Sequence, residues 1–270
     1  MRLIVLGTGN AAVTKCYNTC FLLESEGKYF LTDAGGGNGV FAQLEKAGVA
    51  WQNVRDIFIT HKHVDHFLGA VWFVRKICQS ISEGKYEGEA RIYGHAEVLD
   101  LLKDFSMRLY PEKQTKYIGD RLHFIAVQNG ETREIIGRKI TFFDIRSTKA
   151  KQYGFCIRYD LADENKKFTC CGDEPYNESE REYAERSEWL THEAFCLYEE
   201  RERFAPYEKH HSTVKDAAEL AEKLGVKNLI LYHTEDKNLA RRKELYTAEG
   251  KQYYHGNLYV PNDLETFELK

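Results

Sequence analysis

The stretch that decides the fold is Thr60-His61-Lys62-His63-Val64-Asp65-His66. Four of its side chains are of the kinds that bind metal ions: His61, His63, Asp65 and His66. The apolar run over 57–59 precedes them and predicts a buried strand. Crowded imidazoles and a carboxylate are costly to desolvate when they are uncoordinated. A divalent cation such as zinc, iron or manganese turns the same groups into ligands. The stretch therefore predicts a metal site at the end of a strand.

The composition limits the class of protein. The chain has 270 residues with 13% aromatic residues, enough for a sizeable core. The net charge of -4 gives no overall attraction to nucleic acid. No apolar run is long enough to span a bilayer, so we expect no membrane partner. The seven cysteines include no CxxC pair. We therefore expect reduced thiols and a cytoplasmic location.

Strands and helices alternate along the chain. Apolar runs predict strands over 3–6, 21–23, 29–32, 54–60, 90–93, 122–126, 134–136, 139–145, 154–160, 167–171, 228–232 and 258–260. Helical spacing predicts helices over 39–47, 68–77, 97–107, 180–190 and 216–224, and a hairpin turn is expected over 162–165. No linker rich in Pro, Gly or Ser interrupts this pattern. The sequence thus predicts one α/β domain over residues 1–270.

Further candidate site residues lie outside the opening stretch. Asp33 precedes a run of glycines, and a site residue and a turn aspartate are equally good interpretations of it. The others are Asp173, His211 and His233. Asp173, His211 and His233 are each expected at a strand end, and folding all of these residues onto one edge would create a two-metal site. Such a pair of cations generates a nucleophile at neutral pH.

The stretch Thr60 to His66 matches the HxHxDH signature of the metallo-β-lactamase superfamily. Asp33-Ala34-Gly35 resembles the acidic strand end of that family, and Gly172-Asp173 resembles its Gly-Asp pair. Three later stretches look specifically like the ribonuclease Z branch: His192-Glu193-Ala194, His211-Ser212-Thr213 and Leu231-Tyr232-His233. These motifs follow the order that the family has, so the resemblance covers most of the chain.

The resemblance implies a fold, a site and a reaction. The fold would be a four-layer αββα sandwich with the metals at one edge. His61 and His63 would bind a first metal, while Asp65, His66 and His233 would bind a second, and Asp173 would bridge the two. One or two divalent ions are implied, with Zn preferred over Mn or Fe. A metal-bound hydroxide would attack a phosphodiester, in which Asp65, Glu193 and His211 are the catalytic side chains. Glu193 and His211 would form a proton relay near the leaving group.

The sequence departs from the family pattern in two places. The family has a further histidine a few residues before a Tyr-Gly pair, and counting back from Tyr153-Gly154 puts Ser147 or Thr148 in its place. The consequence would be one tightly bound metal, a pair with a more oxygen-tolerant metal such as Mn, or lost activity. Lys149 and Lys151 either bind substrate phosphate or belong to a solvated basic loop. The stretch 154–173 carries no long insertion of the kind that grips transfer RNA, which argues against processing of full-length transfer RNA.

The remaining histidines and basic residues have less specific interpretations. His95 is expected to begin a helix, His123 to be exposed and His192 to be structural. The run Arg241-Arg242-Lys243 is expected on a solvated helix face, and Cys170 and Cys171 in strand packing. The tail over 253–255 either closes over the site or contributes to a homodimer contact.

Three functions compete on this evidence. The leading hypothesis is a metal-dependent hydrolase that acts on phosphodiester bonds, in small molecules or in RNA. The second is a hydrolase of another bond, such as a small ester, a thioester or a lactone. The third is a non-catalytic binding protein that kept the fold and lost one metal ligand.

Overall fold

The first layer of strands comes from the N-terminal half of the chain. A computed structural model describes residues 1–160, 163 and 165–269. Six strands lie side by side in sequence order: β1 (Arg2–Gly7), β2 (Cys20–Ser25), β3 (Lys28–Thr32), β4 (Val54–Phe58), β5 (Ala90–Gly94) and β6 (Leu122–Ala126). Strands β3 to β6 are parallel to one another. Parallel neighbours need a crossover connection, and three helices supply it here.

A second sheet follows in the same manner. Its strands are β7 (Thr132–Ile135), β8 (Arg138–Asp144), β9 (Tyr153–Arg158), β10 (Lys167–Cys170), β11 (Trp189–Glu193), β12 (Asn228–Tyr232) and β13 (Asn257–Tyr259). It begins as an antiparallel meander through β10 and continues as parallel strands. Strand β14 (Thr266–Glu268) returns to pair with β1. Within the described residues each sheet therefore has seven strands.

Helices cover the outer face of each sheet. The helices are α1 (Gly39–Lys46), α2 (Val64–Ser82), α3 (Ala96–Leu109), α4 (Glu112–Thr115), α5 (Arg181–Ala184), α6 (Arg201–Phe204), α7 (Val214–Lys223) and α8 (Arg242–Gly250). Single 3₁₀ turns lie at Trp51–Asn53, Glu178–Glu180, Tyr198–Glu200 and Tyr207–Lys209. Apolar faces of α1 to α3 pack on the first sheet, and those of α5, α7 and α8 pack on the second. None of the described helices is long and apolar enough to cross a membrane.

The two sheets face each other through an aromatic core. Phe30 and Phe58 of the first sheet stack with their ring centroids 6.2 Å apart. Phe155 of the second sheet meets Phe30 edge-on at 5.4 Å, and Phe142 contacts Phe58 at 4.9 Å. Buried aromatic pairs of this kind add to the free energy gained from area burial alone. The result is the four-layer αββα arrangement that the resemblance implies.

Two predictions about local structure are wrong, and a third concerns residues that are not all among those described. The helix expected over 180–190 ends at Ala184, and Trp189–Glu193 is instead the central strand β11. Every residue of β11 is buried between two parallel neighbours, so it lacks the alternation that identifies a half-buried strand. Arg242 is fully buried rather than solvated, and its guanidinium donates to Thr234 Oγ1 and to the Pro261 carbonyl. The predicted hairpin turn over 162–165 lies partly outside the described residues.

Glu180 is a buried acid on the helical side of the second sheet. Its side chain is fully buried, and its Oε1 accepts the backbone N–H of Asn177 at 2.8 Å. Burial raises the pKa of Glu180 from its ordinary value of 4.5 to about 8. Between these two values the native protein holds a proton that the unfolded chain has released. Stability is therefore expected to fall as the pH rises across this window.

Glu180→Gln is expected to remove this pH dependence, because the amide oxygen can still accept the Asn177 N–H. Relative to the wild type, the variant should gain on the order of 2–4 kcal/mol in unfolding free energy between pH 5 and pH 9. Urea unfolding at pH 5, 7 and 9 measures the difference, with the exposed Glu178→Gln as the control. Parallel pH profiles for the wild type and Glu180→Gln would contradict the assignment.

Candidate metal centre

The ends of four strands meet at one edge of the sandwich. Asp33 follows β3, and His61 lies three residues after the end of β4. Asp173 and His233 follow β10 and β12 of the second sheet. Helix α2 begins at Val64, so Asp65 and His66 lie in its first turn. The carboxyl ends of parallel strands are where open α/β sheets bind their ligands.

Asp65, His66, Asp173 and His233 converge most closely. His66 Nε2 lies 3.3 Å from Asp65 Oδ2 and 3.3 Å from Asp173 Oδ2. His233 Nε2 lies 3.3 Å from the same Asp65 oxygen and 3.4 Å from the same Asp173 oxygen. All four residues are buried. Two imidazoles and two carboxylates in this arrangement form a donor set of the kind that binds zinc or a related ion.

His61 and His63 form a sparser half of the site. His61 Nε2 lies 2.8 Å from His63 Nδ1 and 3.7 Å from Asp173 Oδ2. Three groups of potential ligand atoms lie within 4.8 Å of one another among the described residues: His61, His66 and Asp173; Asp65, His66 and His233; Glu193, His211 and His233. His63 belongs to none of these groups. The donors of the Asp65–His66–His233 half therefore fit a metal better than those of the His61–His63 half.

Hydrogen bonds behind the cluster orient its imidazoles. Asp33 Oδ2 accepts from His66 Nδ1 at 2.7 Å and from the Thr60 hydroxyl at 2.8 Å. Because that hydroxyl donates to Asp33, it can accept from His61 Nδ1, which lies 2.9 Å away. Both imidazoles then direct Nε2 into the site, and His66 Nε2 is buried without a hydrogen-bond partner among the described residues. A carboxylate behind a histidine ligand is the usual support in metal sites.

Two of these residues have strained backbones. Asp33 has a φ of 56° and His233 a φ of 55°, in the left-handed region that non-glycine residues rarely adopt. The Asp33 conformation is held by its backbone N–H, which donates to the Phe58 carbonyl at 2.8 Å, and by its side-chain contacts with Thr60 and His66. Strain of this kind collects at functional sites.

The electrostatics of the cluster keep its carboxylates ionised. Burial alone would raise the pKa of Asp173, but His61 and His66 hold that pKa well below its usual range. Burial would also raise the pKa of Asp65, but the charges and hydrogen bonds of His66 and His233 together hold that pKa well below its usual range. Burial lowers the pKa of His61 and that of His63. The positive charge of Lys149 lowers the pKa of His63 further, by a smaller amount. The carboxylates of Asp65, Asp33 and Asp173 raise the pKa of His66 despite its burial, so this imidazole would release a proton on binding a metal ion.

Gln152 is a site residue that sequence reasoning missed. Its buried Nε2 donates to Asp173 Oδ1 at 2.6 Å and lies 3.1 Å from His61 Nδ1. Gly172 makes room for it: a Cβ there would lie 2.9 Å from Gln152 Nε2, and the φ of 78° disfavours any side chain. The available signal was a polar residue directly before the Tyr153-Gly154 pair. Gln152 fixes the orientation of the Asp173 carboxylate.

Neither hydroxyl expected in place of the further histidine is aimed at the cluster. Ser147 Oγ donates to Glu174 Oε1 at 2.7 Å, and Thr148 Oγ1 lies 3.0 Å from His210 Nδ1. From the same loop, Lys149 Nζ lies 3.5 Å from His211 Nε2. The loop directs both side chains away from the cluster, so neither hydroxyl is positioned to act as a metal ligand.

Glu193 and His211 meet beside the cluster, as the resemblance implies. Glu193 Oε2 lies 3.6 Å from His211 Nδ1, and Glu193 Oε1 accepts the backbone N–H of Ser212. Phe195 stacks on the His211 ring with the centroids 5.0 Å apart. The centroids of the His211 and His233 rings are 5.1 Å apart. His211 comes from the loop before α7 rather than from a strand end, which corrects its expected placement.

The other histidines lie where a structural role predicts. His95 caps α3, where its Nδ1 accepts the Val98 N–H at 3.4 Å. His123 is partly exposed beside Glu89, and buried His192 donates to the Glu193 carbonyl at 2.8 Å. His255 pairs with Glu222 on the surface, while Tyr254 donates to the Val226 carbonyl. The tail over 253–255 therefore packs near the end of α7 and does not cover the site.

Comparison with known protein families shows to which family the chain belongs. The model of the family described as anti-Pycsar protein Apyc1 matches residues 1–253. The chain belongs to the anti-Pycsar protein Apyc1 family. This Apyc1 family member is also similar to curated ribonuclease Z proteins. It is 25% identical to ribonuclease Z of Nitrosopumilus maritimus over 309 aligned positions, which cover 100% of both chains. It is 27% identical to ribonuclease Z of Methanocaldococcus jannaschii over 317 positions, covering 100% of this chain and 98% of the relative.

Solved structures show the same fold. The metallo-β-lactamase fold protein YhfI from Bacillus subtilis aligns with a TM-score of 0.77 at 18% identity, covering 98% of both chains. The short form of human tRNase Z aligns with a TM-score of 0.73 at 20% identity, covering 100% of both chains. The predictions of a metallo-β-lactamase fold and of a metal-dependent hydrolase related to ribonuclease Z are confirmed for this Apyc1 family member. The metal site of this fold takes divalent ions.

Proposed function

We propose that this protein hydrolyses phosphodiester bonds in small substrates. One observation carries the proposal: the His211–Glu193 pair lies against His233 of the metal cluster, with the His211 and His233 ring centroids 5.1 Å apart. A donor set for divalent ions beside an imidazole backed by a carboxylate suits the cleavage of a bond whose leaving oxygen needs a proton. The curated ribonuclease Z relatives support the same class of bond.

The metal ligands are assigned from the geometry and the family pattern together. Asp65, His66 and His233 would hold one divalent ion, and Asp173 would share it with a second ion at His61 and His63. Bound ions of this kind would supply a nucleophile at neutral pH and offset charge on the phosphate oxygens. Zinc suits the imidazole ligands of both halves. Manganese, which accepts oxygen ligands readily, is the alternative for the sparser half. Gln152 and Asp33 hold the ligands Asp173 and His66 in place.

The remaining roles fall to this chain's own side chains. Asp65 would orient the nucleophile, because its Oδ2 faces both His66 and His233 at 3.3 Å. His211 would protonate the departing oxygen from Nε2, the ring nitrogen turned away from Glu193. Buried Glu193 would keep the His211 ring in that orientation and stabilise its positive charge.

The size of the substrate is inferred from the connection between β9 and β10. Only residues 159–166 join these strands, where the ribonuclease Z pattern has its gripping arm. The alignment with the N. maritimus relative spans 309 positions, 39 more than the 270 residues of this chain. A short connection favours nucleotide-sized phosphodiesters or short RNA over full-length transfer RNA.

Location and assembly belong to the same proposal. Seven free thiols, six of them buried, support a cytoplasmic location. Exposed apolar side chains on α2 and α3, among them Val64, Trp72 and Met107, support a homodimer.

Removal and return of metal tests the proposed function. Protein depleted with EDTA and reloaded with zinc or manganese is offered bis(p-nitrophenyl) phosphate, a 3′,5′-cyclic nucleoside monophosphate and a precursor transfer RNA. We expect metal-dependent turnover of at least one small phosphodiester and little cleavage of the transfer RNA. A thioester and a lactone serve as comparison substrates. Faster turnover of either, or no phosphodiester turnover with either metal, would overturn the proposal.

A further inference from the structure

Lys149 is an exposed cation beside His211, whose ring lies against that of His233 in the metal cluster. Its Nζ lies 3.5 Å from His211 Nε2, while the other ring nitrogen, Nδ1, lies beside Glu193. Among the described residues it forms no ion pair with a carboxylate, although Glu174 lies under the same loop. The imidazole carries no negative charge, so it cannot balance the charge of the ammonium. The place is therefore suited to an anion that arrives from solvent.

The loop that carries Lys149 is firmly built. Buried Glu174 accepts the Ser147 hydroxyl at 2.7 Å and the Thr148 backbone N–H at 3.2 Å. Ser147 Oγ in turn accepts the backbone N–H of Lys149 at 3.3 Å and that of Ala150 at 3.2 Å. Thr148 is held from the other side by His210. These contacts hold the Lys149 backbone beside the cluster, so the loop itself needs little ordering when the ammonium meets a ligand.

The neighbouring lysine shows that this placement is specific. Lys151 Nζ lies 5.5 Å from the centroid of the Tyr153 ring, and its charge acts on Glu97 and His95 rather than on the cluster. The two side chains leave the loop in different directions. Lys151 is therefore a matched control for the charge of Lys149.

The metal site beside Lys149 is short of ligands in its sparser half. His61, His63 and Asp173 supply three donors there, and the expected further imidazole is absent. We propose that the Lys149 ammonium takes over part of that role and binds a non-bridging oxygen of the substrate phosphate. This inference rests on the proposed function. A lysine contributes a full positive charge and three N–H donors without depending on a tightly held ion.

Lys149→Met tests the inference through phosphate binding and not only through turnover. Zinc-loaded protein is titrated with inorganic phosphate by calorimetry, and KM and kcat are measured with bis(p-nitrophenyl) phosphate. We expect phosphate to bind about 10- to 100-fold more weakly and KM to rise by a similar factor, as for a lost charge-assisted hydrogen bond. Lys149→Arg should retain most of the affinity, and Lys151→Met should equal the wild type. Metal content per chain should be the same in all four proteins.

The outcomes separate the inference from the proposed function. Equal phosphate affinity in the wild type and Lys149→Met overturns the inference, whatever the turnover. Metal content that falls in Lys149→Met also overturns it, because the lysine would then act on the metal site. Phosphate affinity that depends on Lys149, in a protein that cleaves no phosphodiester, supports the inference and refutes the proposed function.

Discussion

Asp173→Asn is expected to abolish activity by removing the metal. Asp173 Oδ2 lies 3.3 to 3.7 Å from the Nε2 atoms of His61, His66 and His233, so its negative charge serves both halves of the site. An amide keeps the shape but loses that charge, and its NH₂ group repels metal ions. Loss of a supporting residue alone costs about 10- to 100-fold in metal affinity. Loss of this shared ligand should therefore lower kcat/KM by on the order of 10³-fold or more.

Metal analysis by mass spectrometry, alongside phosphodiester turnover, checks this result. The variant should carry less than half of the zinc that the wild type carries after the same dialysis. Glu178→Gln is the control, since it removes an exposed acid that pairs with Arg181 and not with any of the ligands, and it should keep full metal content. Asp173→Asn protein with wild-type zinc content would show that Asp173 is not a ligand.

His211→Ala is expected to slow the chemical step while leaving the metal bound. His211 Nδ1 lies 3.6 Å from Glu193 Oε2, which leaves Nε2 to act as the proton donor with Glu193 as its support. Loss of a general acid lowers kcat by about 10²- to 10⁴-fold. KM should change much less, because Lys149 and the metal ligands remain.

Kinetics across pH 5–9, with zinc content measured in parallel, test this prediction. Exposed His255→Ala is the control and should behave as the wild type. Glu193→Gln should give a smaller loss than His211→Ala, because it disturbs the orientation of His211 without removing the donor. Unchanged kcat in His211→Ala would remove the proton relay from the mechanism. A loss of zinc in that variant would instead assign His211 to the metal, as its nearness to His233 allows.

Local sequence patterns were sufficient to predict most of the fold. Strand β12 and helix α7 follow directly from an apolar run and from helical spacing. Strand β11 was mistaken for helix because charged residues dominate the stretch before it and its own five residues show no alternation. What makes Trp189–Glu193 a strand is pairing with β10 and β12, which lie distant in the sequence. Tertiary pairing outweighs local preference in such a case.

The same distinction applies to the site. The ligands His61 to His66 are neighbours in sequence, and their motif predicts their position without any knowledge of long-range contacts. Gln152 and Lys149 acquire their positions from Asp173, Glu174 and His211, none of which is close in sequence. Counting residues back from Tyr153 assumed a regular loop. The loop is not regular, because Arg146 has a φ of 58° and Glu174 binds the loop backbone at Thr148.

The pairing of β1 with β14 has a consequence for how the chain acquires its structure during synthesis. Strand β1 leaves the ribosome before every other strand described, whereas β14, its partner at the sheet edge, leaves after all of them. Until then, the backbone groups of Arg2, Leu3 and Ile4 that later bond to β14 have no partner on that side. An open edge of this kind can recruit a strand from another nascent chain. The vulnerable period for aggregation would end when residues 266–268 close that edge.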